Sequence, residues 1–189
     1  MSAFRDLLLR HSSSMCRLDA LQVSRLEQHY QLLWRWNQRL NLTSVTDLED
    51  LVKFHYCESL ALGASLPPGS LSVVDIGSGA GFPGVPAAIL RPECGFTLVE
   101  SKQKKAVFLR EVSRELSNVQ VIADRAENLA GTFDWLISRA VKLEPVFLRL
   151  ARHVALLHCD GTLPETVSWQ ESRKLPFGER RVIAIGCAT

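Results

Sequence analysis

Val73-Val74-Asp75-Ile76-Gly77-Ser78-Gly79-Ala80-Gly81-Phe82-Pro83-Gly84 is the stretch that decides the fold. A β-rich run, Leu71 to Ile76, ends in three glycines at alternate positions. Glycine lets the chain turn sharply after a strand and lets a ligand approach the backbone. Three closely spaced glycines are also costly to order, so a packing role alone accounts for them poorly. Gly79 to Gly84 satisfies GxGxxG literally. A helix is predicted to begin near Pro83 or Pro86, because proline is tolerated in a first turn. About 20 residues on, a second buried strand, Phe96 to Val99, ends at Glu100, where a carboxylate can accept the hydroxyl protons of a ribose. Strand, glycine turn, helix, strand and acid together describe a nucleotide-binding unit.

Downstream the same alternation continues. Ser101 is expected to cap a helix carrying Phe108, Leu109, Val112 and Leu116 on one side. Val119 to Ala123 and Phe133 to Ile137 read as strands three and four, Pro145 to Leu157 as a helix, and Arg181 to Ile185 as a closing strand. Strands alternating with helices imply a parallel sheet covered on both faces, so the fold class is α/β, doubly wound. Upstream the period is helical. Val23, Leu26, Tyr30 and Leu33 fall three and four apart between Asp19 and Leu40. Thr46 and Glu49 form a capping box opening a second helix through Leu51, Val52 and His55. Trp34, Trp36 and Tyr30 are read as core at this spacing, and His55 as a satisfied core histidine. The breaker Leu66-Pro67-Pro68-Gly69-Ser70 divides a helical cap (1–66) from an α/β core (71–189) within a single domain.

Composition narrows the class. A chain of 189 residues, 47% hydrophobic and 22% charged, suits one globular domain. It contains no apolar run of the roughly 18 residues needed to span a bilayer, and Leu7-Leu8-Leu9 is too short for a signal peptide. A cytoplasmic location is expected. Five scattered cysteines without CxxC spacing argue against a disulfide framework and against zinc, and read as reduced, mostly buried thiols. A net charge of +2 does not announce nucleic acid by itself. Lys102, Lys104, Lys105, Arg110 and Arg114 do concentrate charge on the helix after Glu100, either as an RNA-phosphate contact or as an ordinary solvated face.

Asp75 ahead of Gly77-x-Gly79-x-Gly81 resembles the first motif of the Rossmann-like methyltransferases, and the chain is short for a dehydrogenase with a substrate domain. Nearly end to end, the sequence is similar to the ribosomal RNA methyltransferase G family (glucose-inhibited division protein B), which modifies guanine N7 in 16S rRNA. The matching stretches are Trp36-Asn37, Asn41-Leu42-Thr43, His55 to Ser59, Gly77 to Gly84, Phe108-Leu109-Arg110, Arg125-Ala126-Glu127, Ser138-Arg139-Ala140 and Glu179-Arg180-Arg181. The resemblance implies S-adenosylmethionine as cofactor, ribosomal RNA or the small subunit as partner, and a cofactor site at Gly77, Phe82, Ala126, Glu127 and Arg139. Gly79 and Glu100 join that site from the reading of the glycine loop. Lys102, Lys104 and Lys105 are the candidate RNA contacts, and the protein is expected to be a monomer without a metal. The chain departs from the family pattern near its end: a Lys-Pro-Gly-Gly-like turn is missing before Ala155, and Asp160-Gly161 replaces a Lys-Gly pair.

Guanine N7 already carries a free in-plane lone pair, so the implied transfer needs positioning rather than a general base. Accordingly, no Asn/Asp-Pro-Pro-aromatic run follows strand four, and no Pro-Cys or Thr-Cys dipeptide offers a nucleophile. No side chain is assigned as acid or base. Arg139 is assigned to positioning, on the cofactor carboxylate, a phosphate, or O6. The alternatives are a methyltransferase with another substrate, or a cofactor-binding module with impaired turnover caused by the altered C-terminal segment.

Overall fold

The computed structural model describes residues 2–159, 163–178 and 180–189. Asp160-Gly161 and Glu179, singled out above, lie outside the described residues. The cap begins with α1 (Ala3–Ser12) and α2 (Ala20–Leu40). Asp19 and Gln22 close a reciprocal capping box on α2, with bonds of 2.8 and 2.9 Å. Asn41 ends that helix in the left-handed region at φ 46°. Helix α3 (Leu48–Leu51) runs through a π-helical turn, Val52–Cys57, into α4 (Glu58–Ser65).

The cap of α3 corrects the sequence reading. Asp47 rather than Thr46 accepts the bond, from the Asp50 N–H at 2.8 Å, and Glu49 instead pairs with Lys53 at 2.7 Å and His11 at 3.0 Å. A shorter Asx side chain one residue later bonds the N-terminal amides, which releases Glu49 to the surface. Trp34 is a second correction: it is 48% exposed, whereas Val23, Leu26 and Leu33 are buried.

After the breaker, strands and helices alternate as β1 (Ser72–Ile76), α5 (Gly84–Leu90), β2 (Gly95–Val99), α6 (Gln103–Val112), β3 (Val119–Ile122), β4 (Phe133–Arg139), α7 (Pro145–Leu148), β5 (Ala151–Cys159), β6 (Val167–Lys174) and β7 (Arg181–Ala188). The sheet order is β3-β2-β1-β4-β5-β7-β6. The first five strands pair in parallel, while β7 runs antiparallel to both β5 and β6. The all-parallel expectation therefore fails at one edge, and the expected helix Pro145 to Leu157 is a single turn followed by a strand. Val154, Ala155, Leu156 and Leu157 are all buried, with β4 on one side and β7 on the other. Such a run has neither alternation nor helical period, so its pairing decides it.

Neighbouring residues of β1 feed different cores, as period two requires. Val73 packs into a cluster with Leu62, Ala87 and Ile183; Val74 packs into another with Leu136, Leu143 and Phe147. A third cluster joins cap to core, placing Leu8, Leu26, Leu33 and Tyr56 with Ala80, Phe82, Val85 and Phe108. Arg91 ties the breaker down by donating to the carbonyls of Gly63, Leu66, Pro67 and Gly69. Cysteine burial is lower than expected, with Cys57 and Cys94 buried, Cys16 and Cys187 half-buried and Cys159 exposed. Among the described residues no helix is long and apolar enough to cross a membrane.

Candidate functional site

The glycine loop rises from β1 at the sheet's switch point, between β1's neighbours β2 and β4. Gly77 and Gly79 take φ values of 71° and 55°. The Gly77 and Ser78 amides both donate to the Val99 carbonyl, at 2.9 and 3.1 Å. Asp75, fully buried, accepts the Gly84 N–H at 3.0 Å and leaves its other carboxylate oxygen without a partner. Burial pushes the Asp75 carboxyl up to about 7. From the cap, His29 donates through Nε2 to the Ala80 carbonyl at 3.0 Å and accepts the Tyr56 hydroxyl at Nδ1, 2.7 Å away. Burial holds His29 down at about 4, which keeps the ring neutral at physiological pH.

Two clefts meet at Gly77 and Val141. The larger, about 650 Å³, is walled by Asn41 to Val45, His55, Gly77 to Ala80, Phe82, Arg139 and Arg181. The smaller, about 360 Å³, takes Ser101, Asp124, Ala126, Glu127 and Phe147. Thus Gly77, Gly79, Phe82 and Arg139 face one cleft, and Ala126 and Glu127 face the other alongside Gly77. Glu100 lines neither. Its two oxygens accept the Gly79 amide at 3.0 Å and the Lys102 amide at 2.8 Å, so it braces the loop from behind. That second bond also replaces the predicted Ser101 cap, since α6 starts without a side-chain cap. Lys102 and Lys104 are exposed and Lys105 is half-buried, all outside both clefts.

The loop fits a ligand at one point above all. A Cβ built at Gly77 would strike Val141 at 2.5 Å, whereas one at Gly79 meets only the Gly77 carbonyl at 3.7 Å and otherwise enters open space. Across the cleft, Asn37 brackets the 41–43 turn by accepting the Thr43 N–H and donating to the Thr43 carbonyl, at 2.9 and 3.0 Å. The Thr43 hydroxyl accepts the Val45 N–H at 3.1 Å and shares a hydrogen bond with His55 Nε2 at 2.7 Å. Burial, then the Arg139 charge, hold His55 at about 3.

A family model described as rRNA small subunit methyltransferase G matches residues 22–161. The chain belongs to the methyltransferase G family. It is 42% identical over 141 residues to the ribosomal RNA small subunit methyltransferase G of Methylobacillus flagellatus, covering 72% of this chain and 68% of that one. The counterpart in Chromobacterium violaceum is 42% identical over 164 residues, covering 83% and 77%. Among solved structures, magnesium protoporphyrin IX methyltransferase from Synechocystis with bound SAM superposes with a TM-score of 0.62 at 16% identity, covering 92% of this chain and 99% of that one. That likeness establishes the class I methyltransferase fold.

Three features of this methyltransferase G chain lie beyond the sequence reading. His29 is one, and its signal was a polar residue inside the apolar stripe between Leu26 and Leu33, which must find partners when buried. The Asn37–Thr43–His55 chain is another. The third is a carboxylate, Glu58, that meets Arg139 and Arg181 across 123 residues of sequence. Nothing local announces such a pairing. Among the described residues no group of His, Cys, Asp and Glu is placed to hold a metal.

Proposed function

We propose that this protein transfers a methyl group from S-adenosylmethionine to N7 of a guanine in 16S ribosomal RNA, acting in the cytoplasm as a single-domain monomer. The observation that carries the reading is the glycine loop, which sets Gly77 where two clefts meet and leaves Gly79 open on the larger one, in a chain of the methyltransferase G family. Gly77, Gly79, Phe82 and Arg139 would hold the aminoacyl end in the larger cleft, and Arg139 has the fork suited to a carboxylate. In the smaller cleft the Ala126 N–H and the Glu127 carboxylate suit the ring nitrogen and exocyclic amine of adenine. Glu100 faces neither cleft and contributes by keeping the Gly79 amide of the loop oriented. When bound, the cofactor supplies an electrophilic methyl group on a sulfonium.

The surrounding residues fit a reaction driven by placement. His55 on the cleft wall is held neutral at physiological pH by burial, and its Nε2 is engaged by the Thr43 hydroxyl at 2.7 Å. The RNA base brings its own lone pair, so the side chains have only to place it. Incubation with labelled cofactor and either naked 16S RNA or intact small subunits, followed by mass mapping of the methylated nucleotide, tests the reading. A single N7-methylguanine is expected; methyl incorporated at another atom, or into neither substrate, would overturn it.

Lys102, Lys104 and Lys105 are assigned to the RNA backbone. Replacing all three by alanine is expected to weaken RNA binding and to lower the log–log salt slope by up to roughly 3, with cofactor affinity unchanged. An unaltered slope in a binding titration across salt concentrations would return this helix to a solvated face.

A further inference from the structure

Glu58 is a buried carboxylate that the cofactor reading does not require. It is the first residue of α4 and is only 2% exposed. Arg181 Nη1 lies 2.8 and 3.1 Å from its two oxygens, and Arg139 Nη1 lies 3.9 Å from Oε2. The same Arg139 nitrogen donates to the Phe54 carbonyl at 2.6 Å, while the Arg181 guanidinium sits 4.2 Å above the Phe54 ring. One helix of the cap thus holds two arginines delivered by separate strands, the end of β4 and the start of β7, with β5 between them.

Placement separates this group from an ordinary structural ion pair. Arg139 and Arg181 line the larger cleft beside the glycine loop, and both also line a neighbouring cavity of about 370 Å³. Glu58 lines only that second cavity. It therefore holds the guanidiniums from outside the cleft and leaves part of each facing it. Two cations sharing one carboxylate retain a net positive charge there, where an anion gains most. Buried ion pairs add little stability over apolar packing, and fixing a geometry is their better-attested use.

We propose that Glu58 is a positioning residue for methyl transfer: it holds Arg139 and Arg181 side by side on the cleft wall, Arg139 for the cofactor carboxylate and Arg181 to receive an RNA phosphate next to the acceptor base. This rests on the rRNA methyltransferase reading. In Glu58→Gln the shape is kept and the anion is lost, so the site becomes more cationic but less ordered. RNA should then bind equally well or more tightly, with a salt slope steeper by about 0.7 to 0.9. At the same time kcat should fall at least tenfold without a rise in KM for RNA. Glu58→Asp, which keeps the charge one methylene further back, should restore the wild-type slope and recover part of kcat. A merely structural brace predicts the opposite pattern, in which affinity and turnover drop together with the folded fraction seen by circular dichroism. That pattern, or a kcat within twofold of wild type, overturns the proposal. If Glu58→Gln does not fold, Glu58→Asp decides alone: a lowered kcat at an unchanged slope supports it, and an unchanged kcat sinks it. Failure of the broader reading looks different, because the wild-type protein itself would not methylate 16S RNA.

Discussion

Gly79→Ala is expected to leave the domain folded and to weaken S-adenosylmethionine binding by tenfold or more. Its added Cβ enters the open cleft and meets no protein atom closer than 3.7 Å, so the cost to folding is confined to the backbone at φ 55°. A non-glycine residue in that region costs about 1–2 kcal/mol, which lowers the melting temperature of a domain this size by only about 2–8 °C. The ligand must yield to the methyl group. Gly84→Ala is the contrasting case. Its Cβ would lie 2.3 Å from a Leu98 methyl and 2.5 Å from the Asp75 carboxylate, so the fold itself should lose about 1–3 kcal/mol, or more, before any ligand binds. Gly69→Ala supplies a control for backbone strain alone, being at φ 105° with nothing within 4 Å. Calorimetry and thermal melts on the three proteins decide the matter. A folded Gly79→Ala protein with wild-type affinity would remove the glycine loop from the cofactor site.

Arg139→Lys should cost about a hundredfold in single-turnover methylation at saturating cofactor, a loss typical of reactants misplaced by about an ångström. Charge is preserved, but the planar fork that reaches the Phe54 carbonyl and the Glu58 carboxylate is not. The wild-type rate should meanwhile be flat from about pH 6 to 8.5, because an essential base would impose its own titration. The sign of each shift supports this. His55 at about 3 and His29 at about 4 both have values lowered by burial, so both rings are already neutral at the bottom of that range. Asp75 is raised to about 7 and titrates inside the range. It touches the loop through the Gly84 amide rather than the cleft, so its ionisation should appear in cofactor affinity and disappear in Asp75→Asn. A rate that climbs tenfold per pH unit at saturating cofactor would point to an acceptor that must first lose a proton.

The glycine loop was legible because its signals are local. An apolar run, three glycines and a distant acid need no knowledge of the rest of the chain, and β1, β2 and the turn stand where the residues place them. Ala151–Cys159 was not legible, since a short apolar run serves helix and strand alike until β7, more than 20 residues later, pairs with it. Helical spacing showed that Trp34 and Leu33 lie on one helix but not which of them faces water. Glu100 was singled out as a ribose acceptor, whereas its bonds to two backbone amides depend on how the loop folds back over β2. The Glu58 clasp is the extreme case, for its three members come from α4, β4 and β7 and meet only in the finished sheet.

The bond from His29 to the Ala80 carbonyl, with Phe82 enclosed by His29, His55 and Tyr56, bears on how this family can be recombined. The proline-rich breaker invites a crossover, yet a chimera joined there would set one parent's aromatic floor beneath another parent's glycine turn. The heritable block that preserves the packing runs from the start of α1 through the end of α6. Shuffled libraries that keep that block from a single parent should yield more folded, ligand-competent members than libraries cut at Pro67.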